Sequence, residues 1–462
     1  MGTTETAEAR VDDSINVLVA PTSMQDQEWA RAFFGATITP EDLAASAPPD
    51  FARKTVYLCG DISGIGDRQL SSAARVFVIR DHSHGYPEDA DAPWPLVELG
   101  RVPFRVHGVG VYYRRFFGPG SDEFYRIRTE HTFQSLTEST KPGTARRSGI
   151  YLTPVTRDGD ALHFRLLRCS TNLSGPTENF GLTDTRIVDA LNREAATVFR
   201  NQAPLNHVLA QIYHNTLATE GRKQSKARIS AHADKTKDMP VNGIMAFCTF
   251  YDRLDDLRPL AGDPFDLGLK GTSGLTRLRF RLKDPTEERD ELSLPAQFTV
   301  TLYPGSVFFM PLSTNRLYTH EIRPSGLDAE LLPTRLGYVV RCSSAEAVHE
   351  DGHTYLKVAG GTGLGARVPL EPPTEAGMDA LRGLYAEENR AASFIDYGDE
   401  FLFSMNTGDY VAPRAQDLGR DLLVHAADRR EPLRGTVGIG VLGRRGQGQA
   451  GRRTHEGRRR DW

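Results

Sequence analysis

The sequence predicts an α+β protein with a jelly-roll core, an N-terminal α/β extension and helical C-terminal additions. Three observations lead to this fold class. Short strand-like segments separated by turns fill residues 208–342, strand and helix patterns are mixed before residue 149, and a helical pattern returns over 374–410. Many short strands in succession are typical of jelly rolls and related double-sheet barrels.

The composition indicates a globular protein with no general attraction to anions. Hydrophobic residues make up 39% of the 462 residues, charged residues make up 25%, and the formal net charge is -4. We therefore do not expect nucleic acid as a partner. No apolar run reaches the roughly 20 residues that a spanning helix needs, so we expect no membrane association. The polar, acidic N-terminus is unlike a secretory signal, which favours a cytoplasmic protein.

The cysteines support the same compartment. Cys59, Cys169, Cys248 and Cys342 are far apart in the sequence and lie mostly in apolar stretches. We interpret them as buried free thiols in a reducing cytosol rather than as disulfides.

The pattern along the chain predicts a core with a region on either side and an unstructured segment at each end. In order these parts are a disordered segment at 1–14, an N-terminal α/β region at 15–148, the core at 149–345, a mixed or helical C-terminal region at 346–442 and a disordered, basic tail at 443–462.

The N-terminal region mixes both kinds of secondary structure. Residues 15–20 and 54–60 are continuous apolar runs and predict buried strands, whereas the stretch around Trp29–Phe34 predicts a helix. Residues 102–117 alternate well enough to form one or two strands. The segment 139–148 contains Lys, Pro, Gly and Ser, so we expect a linker there.

The core begins with a hairpin and a helix and continues as strands. Residues 149–155 and 161–169 flank Asp158-Gly159, a pair typical of a hairpin turn, and 187–202 is helical in pattern. Eight further strands are predicted at 208–214, 227–234, 243–251, 274–284, 297–303, 306–312, 317–322 and 335–342. The stretch LTRLRFRL within 274–284 alternates cleanly, which predicts one face exposed to water.

The most informative pattern is His232-Ala-Asp234 followed by His320. Residues i and i+2 of a strand point to the same side, so we predict that His232 and Asp234 share a face and that a distant strand supplies His320. Two imidazoles and one carboxylate on one side of a metal leave its other positions open. Such a triad selects non-haem Fe(II), which can then take both a cosubstrate and O₂. We therefore predict these three residues as the metal ligands and catalytic centre.

Two arginines follow on the last predicted strand of the core. Arg335 and Arg341 are separated by an even number of residues, so a regular strand directs both side chains to one side. Two cations inside a barrel are costly unless an anion accompanies them. Because a guanidinium binds a carboxylate through two hydrogen bonds, a dicarboxylate cosubstrate such as 2-oxoglutarate would supply that anion.

Residues 208–341 resemble the Fe(II)/2-oxoglutarate-dependent dioxygenases, and within them the AlkB-like branch. VLAQIYHN contains Gln211 and Tyr213 where that branch has an Asn-x-Tyr pair that contacts the cosubstrate. ARISAHADK contains the H-x-D, RLYTHEIRP contains the distal histidine, and RLGYVVR contains two arginines six residues apart. The resemblance covers about a third of the chain.

The resemblance implies a double-stranded β-helix core and an oxygenase. Fe(II) would be held by the triad, and 2-oxoglutarate by Arg335, Arg341, Tyr213 and Gln211, although which arginine holds the distal carboxylate stays open. O₂ would oxidise 2-oxoglutarate to succinate and CO₂ while a substrate is hydroxylated, with desaturation or cyclisation as alternative outcomes.

Departures from the AlkB-like pattern bear on the substrate. Thr236 stands where repair enzymes have an acidic residue that contacts the damaged base, Gln211 replaces the Asn, and the insertion 252–273 is long and polar. We therefore expect a small-molecule substrate such as an amino acid or a biosynthetic intermediate. An AlkB-like oxidative demethylase of nucleic acid and a non-catalytic binding protein on a degenerate barrel remain as alternatives. Residues 1–150 could form a lid or the surface of a homodimer.

Other motifs favour local structure over chemistry. His349–His353 spells H-E-x-x-H, but its Asp351-Gly352 pair predicts a turn, whereas a zinc protease needs a helix there. His82–His84 resembles half of a cupin motif within a polar loop. Gly60–Gly66 and Gly360–Gly365 lack the strand–GxGxxG–helix setting of a phosphate loop. The arginine-rich tail is interpreted as solvated.

Overall fold

The computed structural model describes residues 7–45, 50–88, 92–118, 122–137, 144–168, 173–283, 294–357 and 366–415. Within these residues strands account for most of the regular structure and helices for less, which confirms the predicted mixture of sheets and helices. The described helices include none that is long and apolar enough to span a membrane.

The strands of the first half of the chain are mostly short. They are β1 (Arg10–Val11), β2 (Asn16–Val19), β3 (Ala36–Ile38), β4 (Thr55–Leu58), β5 (Arg75–Ile79), β6 (Leu96–Val97), β7 (Phe104–Val106), β8 (Gly110–Tyr113), β9 (Gln134–Thr137), β10 (Thr144–Thr153), β11 (Thr156–Asp158), β12 (Ala161–Leu166), β13 (Glu178–Asn179) and β14 (Phe199–Arg200).

The strands of the second half include those predicted to carry the site. They are β15 (His207–Tyr213), β16 (Ile229–His232), β17 (Ile244–Tyr251), β18 (Arg258–Leu260), β19 (Asp263–Leu269), β20 (Thr272–Ser273), β21 (Arg277–Leu282), β22 (Gln297–Thr301), β23 (Val307–Pro311), β24 (Tyr318–Arg323), β25 (Arg335–Arg341), β26 (Ala345–Glu350), β27 (His353–Lys357) and β28 (Arg367–Pro369).

The α-helices lie between these strands or after them. They are α1 (Thr22–Gln25), α2 (Glu28–Arg31), α3 (Pro40–Ala44), α4 (Asp67–Leu70), α5 (Glu123–Glu130), α6 (Leu182–Ala195), α7 (Leu312–Leu317) and α8 (Glu375–Arg390).

The N-terminal region contains a parallel sheet in the order β3-β2-β4-β5-β6. Its central strands are buried on both faces, as expected for a parallel sheet covered on both sides, and this is why β2 and β4 read as continuous apolar runs. The helix predicted around Trp29–Phe34 ends at Arg31, because Phe33 instead forms a bridge with Phe104.

Two further sheets face each other in the core. The large sheet has the order β13-β10-β15-β25-β17-β23-β8-β7, with β9 beside β10, and the small sheet has the order β16-β24-β21-β22. A single apolar cluster joins them, with Tyr213 and Phe247 from the large sheet and Phe280 and Tyr318 from the small sheet. The site predicted from the sequence lies on this shared interior.

The small sheet confirms the predicted exposed face. Leu278, Phe280 and Leu282 of β21 are buried against the large sheet, whereas the arginines between them point outward. The alternation of apolar and charged residues therefore follows the alternation of side chains along a strand.

The other face of the large sheet is covered by helices. Ile127 of α5 and Leu191 of α6 are buried against Ile150 and Val340 of the sheet. Glu194 of α6 accepts hydrogen bonds from Tyr113 of β8 at 2.7 Å and from Arg75 of the N-terminal sheet at 3.0 Å. Strand β8 lies before residue 148, so the large sheet takes strands from both sides of the predicted domain boundary.

Two segments differ from the prediction. Arg10 and Val11, in the segment predicted to be disordered, form β1 and pair with β14. The predicted linker is wrong over 144–148, because these residues belong to β10, where Arg147 and Ser148 pair with Tyr213 and Ile212 of β15. The rest of that linker, residues 139–143, lies outside the described residues.

The remaining sequence predictions concern cysteines and turns. Cys59, Cys248 and Cys342 are buried free thiols, as predicted, whereas Cys169 lies outside the described residues. The Asp158-Gly159 hairpin forms between β11 and β12. The insertion after Tyr251 folds into a separate antiparallel sheet in the order β18-β19-β20.

Candidate metal centre

His232 and His320 lie side by side on the small sheet. His232 is the last residue of β16 and is the direct cross-strand partner of His320 in β24. The centroids of the two imidazole rings are 4.5 Å apart. The sheet register therefore joins two histidines that are far apart in the chain, as the sequence predicted.

Asp234 reaches the same point by a different route from the one predicted. We expected it on the same strand face as His232, but β16 ends at His232 and Asp234 lies in the following loop. The strand ends because side chains take over the backbone hydrogen bonds: Asn389 accepts from the N–H of Ala233 at 2.7 Å, and Asn315 accepts from that of Asp234 at 2.8 Å. The prediction that His232 and Asp234 share a strand face is therefore wrong.

The three side chains nevertheless converge. Oδ1 of Asp234 lies 3.5 Å from Nε2 of His232 and 3.9 Å from Nε2 of His320. One ligand-type atom from each residue lies within 4.8 Å of the corresponding atoms of the other two. A single metal ion could therefore contact all three residues.

Hydrogen bonds prepare two of these groups for a metal. Nδ1 of His232 lies 2.9 Å from the carbonyl oxygen of Ser230, which favours the proton on Nδ1 and leaves the lone pair of Nε2 directed at the centre. Nη2 of Arg341 donates to Oδ2 of Asp234 at 2.7 Å, so Oδ1 is left for a metal. In metal sites, residues that do not bind the metal commonly fix the orientation of its ligands by such hydrogen bonds, and both contacts are of this kind.

The electrostatics keep Asp234 ionised. Burial alone would raise the pKa of this carboxyl, but the charge of Arg341 outweighs burial and holds the pKa well below its ordinary value. An anionic carboxylate is the form that binds a metal.

His320 is neutral in this setting. It is buried, and Phe247 and Phe280 lie against its ring, with centroid distances of 5.5 Å and 5.9 Å. Burial is the main cause that lowers the pKa of His320, and the neighbouring His232 is the next; together they bring it to about 3. A neutral imidazole keeps a nitrogen lone pair for a metal.

The second arginine lies at the other end of β25. Arg335 is 5% exposed, and its guanidinium carbon lies 4.1 Å from the centroid of the Tyr213 ring. The hydroxyl of Tyr213 donates to Oε1 of Gln211 at 3.3 Å. Nε of Arg335 is buried without a hydrogen-bond partner among the described residues, so this end of β25 holds a cation that an incoming anion would satisfy.

Gly337 makes room for that cation. An added Cβ at this position would lie 2.9 Å from Nη1 of Arg335 and 3.2 Å from Cε2 of Tyr213. Sequence reasoning missed Gly337, although a glycine between two inward-facing arginines in a buried strand was a usable signal.

The donors present fit a non-haem iron site. Two imidazole nitrogens and one carboxylate oxygen are the ligand set of the open Fe(II) triad, and no thiol that would favour another metal lies among them. Sequence reasoning also missed Asn315, Glu388 and Asn389, which hold the loop of Asp234. Contacts from distant side chains to backbone leave no periodic trace in a sequence.

A second group of possible ligands is used differently. Glu130, His131 and Asp184 lie close together under the large sheet. Both ring nitrogens of His131 are already occupied, by Asp184 at 2.6 Å and by Glu178 at 3.0 Å. Burial alone would lower the pKa of His131, but these two carboxylates raise it to about 9. His131 is thus an imidazolium between carboxylates, which makes it unsuited to hold a metal.

The competing motifs form local structure. His349 and His353 lie on the paired strands β26 and β27, joined at Asp351 and Gly352, both of which have positive φ. This turn agrees with the prediction against a zinc-protease helix. His82 stacks on Trp29 at 4.5 Å. Residues 360–365 and the basic tail lie outside the described residues.

Comparison with known proteins gives distant structural similarity only. No protein-family model and no curated protein sequence matches the chain. Among solved structures, OsALKBH1 is 13% identical, with a TM-score of 0.31 over 52% of this chain and 99% of that chain. The non-heme alpha ketoglutarate dependent epimerase SnoN from nogalamycin biosynthesis is also 13% identical, with a TM-score of 0.27 over 57% and 91% of the two chains. Likenesses this weak leave the function to be argued from the residues.

Proposed function

We propose that the protein is an Fe(II)/2-oxoglutarate-dependent oxygenase built on a double-stranded β-helix, and that it oxidises a small molecule. The observation that carries the proposal is the convergence of His232, Asp234 and His320, next to a strand, β25, that supplies both Arg341 against Asp234 and a buried Arg335 whose Nε has no hydrogen-bond partner among the described residues. The two facing sheets, joined by one apolar cluster, are the architecture such a core requires.

Each side chain has a separate task in this proposal. His232, Asp234 and His320 would hold the iron, with Ser230 and Arg341 fixing the orientation of the first two. Bound Fe(II) and 2-oxoglutarate would supply the oxidation, in which O₂ converts 2-oxoglutarate to succinate and CO₂ while one substrate C–H bond becomes C–OH.

Other residues would bind the cosubstrate and exclude water. Arg335 would pair with the distal carboxylate, and the Tyr213 ring beneath it would keep the guanidinium in place. Gln211 orients the Tyr213 hydroxyl. Phe247 and Phe280 shield the inner side of His320 from solvent.

The iron site is tested by anaerobic spectroscopy. Fe(II) together with 2-oxoglutarate should give the weak visible charge-transfer band of the chelate, and His232→Ala should abolish it. His353→Ala is a matched control, because Nδ1 of His353 also contacts the carbonyl two residues earlier, at 2.9 Å, but far along the chain from the triad. Absence of the band in the wild type would refute the proposal and favour the non-catalytic barrel.

The small-molecule assignment is supported by Thr236. Its side chain donates to Glu388 and its position carries no charge, unlike the acidic residue of repair enzymes. A metabolite screen for succinate release, run beside a methylated oligonucleotide, tests this assignment. Succinate release with the oligonucleotide alone would contradict it.

One observation favours the nucleic-acid demethylase as a second candidate. On the outer face of the small sheet Arg277 and Arg281 are exposed, and Arg323 lies directly opposite Arg277. Like charges in opposite positions destabilise a sheet, and Glu321 offsets only one of these two by accepting a hydrogen bond from Arg323 at 2.8 Å, so an outside anion would stabilise Arg277. If the protein is a nucleic-acid demethylase, its affinity for an oligonucleotide should fall steeply as the salt concentration rises. Arg277→Gln should also lower that affinity.

A further inference from the structure

The C-terminal helix α8 meets the loop that carries Asp234. This loop begins where β16 ends, and its backbone pairs with no neighbouring strand over 233–236 in the part of the chain that the structure describes. Three side chains from two helices take the place of that strand. Asn315 of α7 pairs with both backbone groups of Asp234, accepting from its N–H at 2.8 Å and donating to its carbonyl at 2.9 Å.

The last turn of α8 supplies the other two side chains. Oδ1 of Asn389 accepts from the N–H of Ala233 at 2.7 Å, while Nδ2 of Asn389 donates to the carbonyl of Tyr385 at 3.0 Å. Oε1 of Glu388 accepts from the N–H of Thr236 at 3.3 Å and from the hydroxyl of the same residue. The two helix residues thus hold the loop on both sides of Asp234.

Contacts in the opposite direction fix the helix to the site. Nζ of Lys235 donates to the carbonyl of Tyr385 at 3.1 Å and lies 5.1 Å from the centre of its ring. Nζ of Lys283, the residue after β21, donates to the carbonyl of Ala391 at 3.2 Å and also to that of Glu388. Cations at the C-terminal end of a helix interact favourably with its dipole and its free carbonyls.

From these contacts we propose that Glu388 and Asn389 are positioning residues of the metal centre. They hold the loop so that Oδ1 of Asp234 faces both histidines. The C-terminal region, which lies outside the predicted core, thus contributes residues that position a metal ligand. The inference rests on the proposed iron site. Burial favours such a role, because Glu388 is 3% exposed and its carboxylate also accepts from the hydroxyl of Tyr397.

The experiment compares substitutions of Asn389 in the full-length protein. Asn389→Leu keeps the size of the side chain but removes the acceptor for Ala233, whereas Asn389→Asp retains that acceptor. Asn192→Leu is the matched control: Asn192 also pairs with backbone, that of Leu205 at 2.8 and 2.9 Å, but lies on α6 beneath the other face of the large sheet.

Two readouts are needed. The first is hydrogen exchange of the metal-free protein, in which Asn389→Leu should speed exchange in the peptide 229–238 and Asn192→Leu should not. The second is anaerobic Fe(II) affinity, which should fall roughly 10- to 100-fold in Asn389→Leu, recover substantially in Asn389→Asp and stay at the wild-type value in Asn192→Leu.

The outcomes separate this inference from the proposed function. If the wild type and Asn389→Leu bind Fe(II) equally well, the positioning role is overturned but the proposed iron site is not. This holds even if hydrogen exchange in 229–238 has become faster. A wild type that binds no Fe(II) overturns the proposed function and this inference with it. An equal loss of affinity in Asn192→Leu would also overturn the inference, because general destabilisation would then explain the effect.

Discussion

Substitution of Gly337 by alanine should weaken binding of 2-oxoglutarate while leaving the metal site intact. The added Cβ would lie 2.9 Å from Nη1 and 3.1 Å from Nη2 of Arg335, whereas ordinary van der Waals contact begins at 3.4 Å. The guanidinium must therefore move by about 0.5 Å, the difference between 3.4 and 2.9 Å. Tyr213 closes the alternative direction, because its Cε2 atom would lie 3.2 Å from the same Cβ.

The size of the effect follows from the hydrogen bonds at risk. A displaced guanidinium loses one of the two bonds to the distal carboxylate, and a hydrogen bond to a charged group contributes about 1.5–3 kcal/mol. Since about 1.4 kcal/mol corresponds to a factor of ten, the Kd for 2-oxoglutarate should rise roughly 10- to 100-fold. Fe(II) binding should be unchanged, because the arginine that contacts Asp234 is Arg341, six residues away at the other end of β25.

The assay is an anaerobic titration of the Fe(II) protein with 2-oxoglutarate, followed by its visible band. Arg335→Met serves as the positive control and should weaken binding at least as much. Gly262→Ala serves as the negative control, because nothing lies within 4 Å of a Cβ added there. Wild-type affinity in Gly337→Ala together with weak binding in Arg335→Met would refute the steric argument. Wild-type affinity in both would show that Arg335 does not hold the cosubstrate.

Three further predictions concern stability. The pKa of His131 is about 9 in the folded protein and about 6.5 in the unfolded chain. Its contribution to the free energy of unfolding is therefore complete below pH 6.5 and is lost as the pH rises through 9. Urea unfolding should show a loss of about 3 kcal/mol over this range, and His131→Gln should flatten the profile; a flat wild-type profile would contradict this. Gly383→Ala should stabilise the protein by about 0.5–1 kcal/mol in the same assay, because Gly383 lies inside α8 with open space around it. Phe280→Ala should cost about 3–5 kcal/mol and lower the Tm, since Phe280 is 1% exposed between the two sheets; a loss below 1 kcal/mol would contradict its place in the core.

The parts of the site that lie on strands could be predicted from the sequence. Leu336, Tyr338 and Val340 pack on the helix side of β25, so Arg335 and Arg341, an even number of residues apart, both lie on the other side of the strand. His320 could be predicted as the distal partner because the pattern before and after it reads as a strand. These residues depend on a periodicity that the sequence displays.

The parts held by loops and helices could not be predicted in the same way. Asp234 lies beyond its strand and is fixed by Asn315, which is far away in the sequence and belongs to a short helix. Glu388 and Asn389 read only as polar residues near the end of a helical pattern. A side chain that bonds to a distant backbone group follows no repeat, so its role appears only when the chain is folded.

The position of β25 has a consequence for how the chain acquires its structure. This strand lies between β15 and β17 and pairs with both along its whole length. Both neighbours are synthesised long before it, so each emerges from the ribosome with an unsatisfied edge that could pair with another nascent chain. Newly made protein should therefore be most prone to aggregation until Arg341 has left the ribosomal tunnel, and chaperone demand should fall once that point is passed.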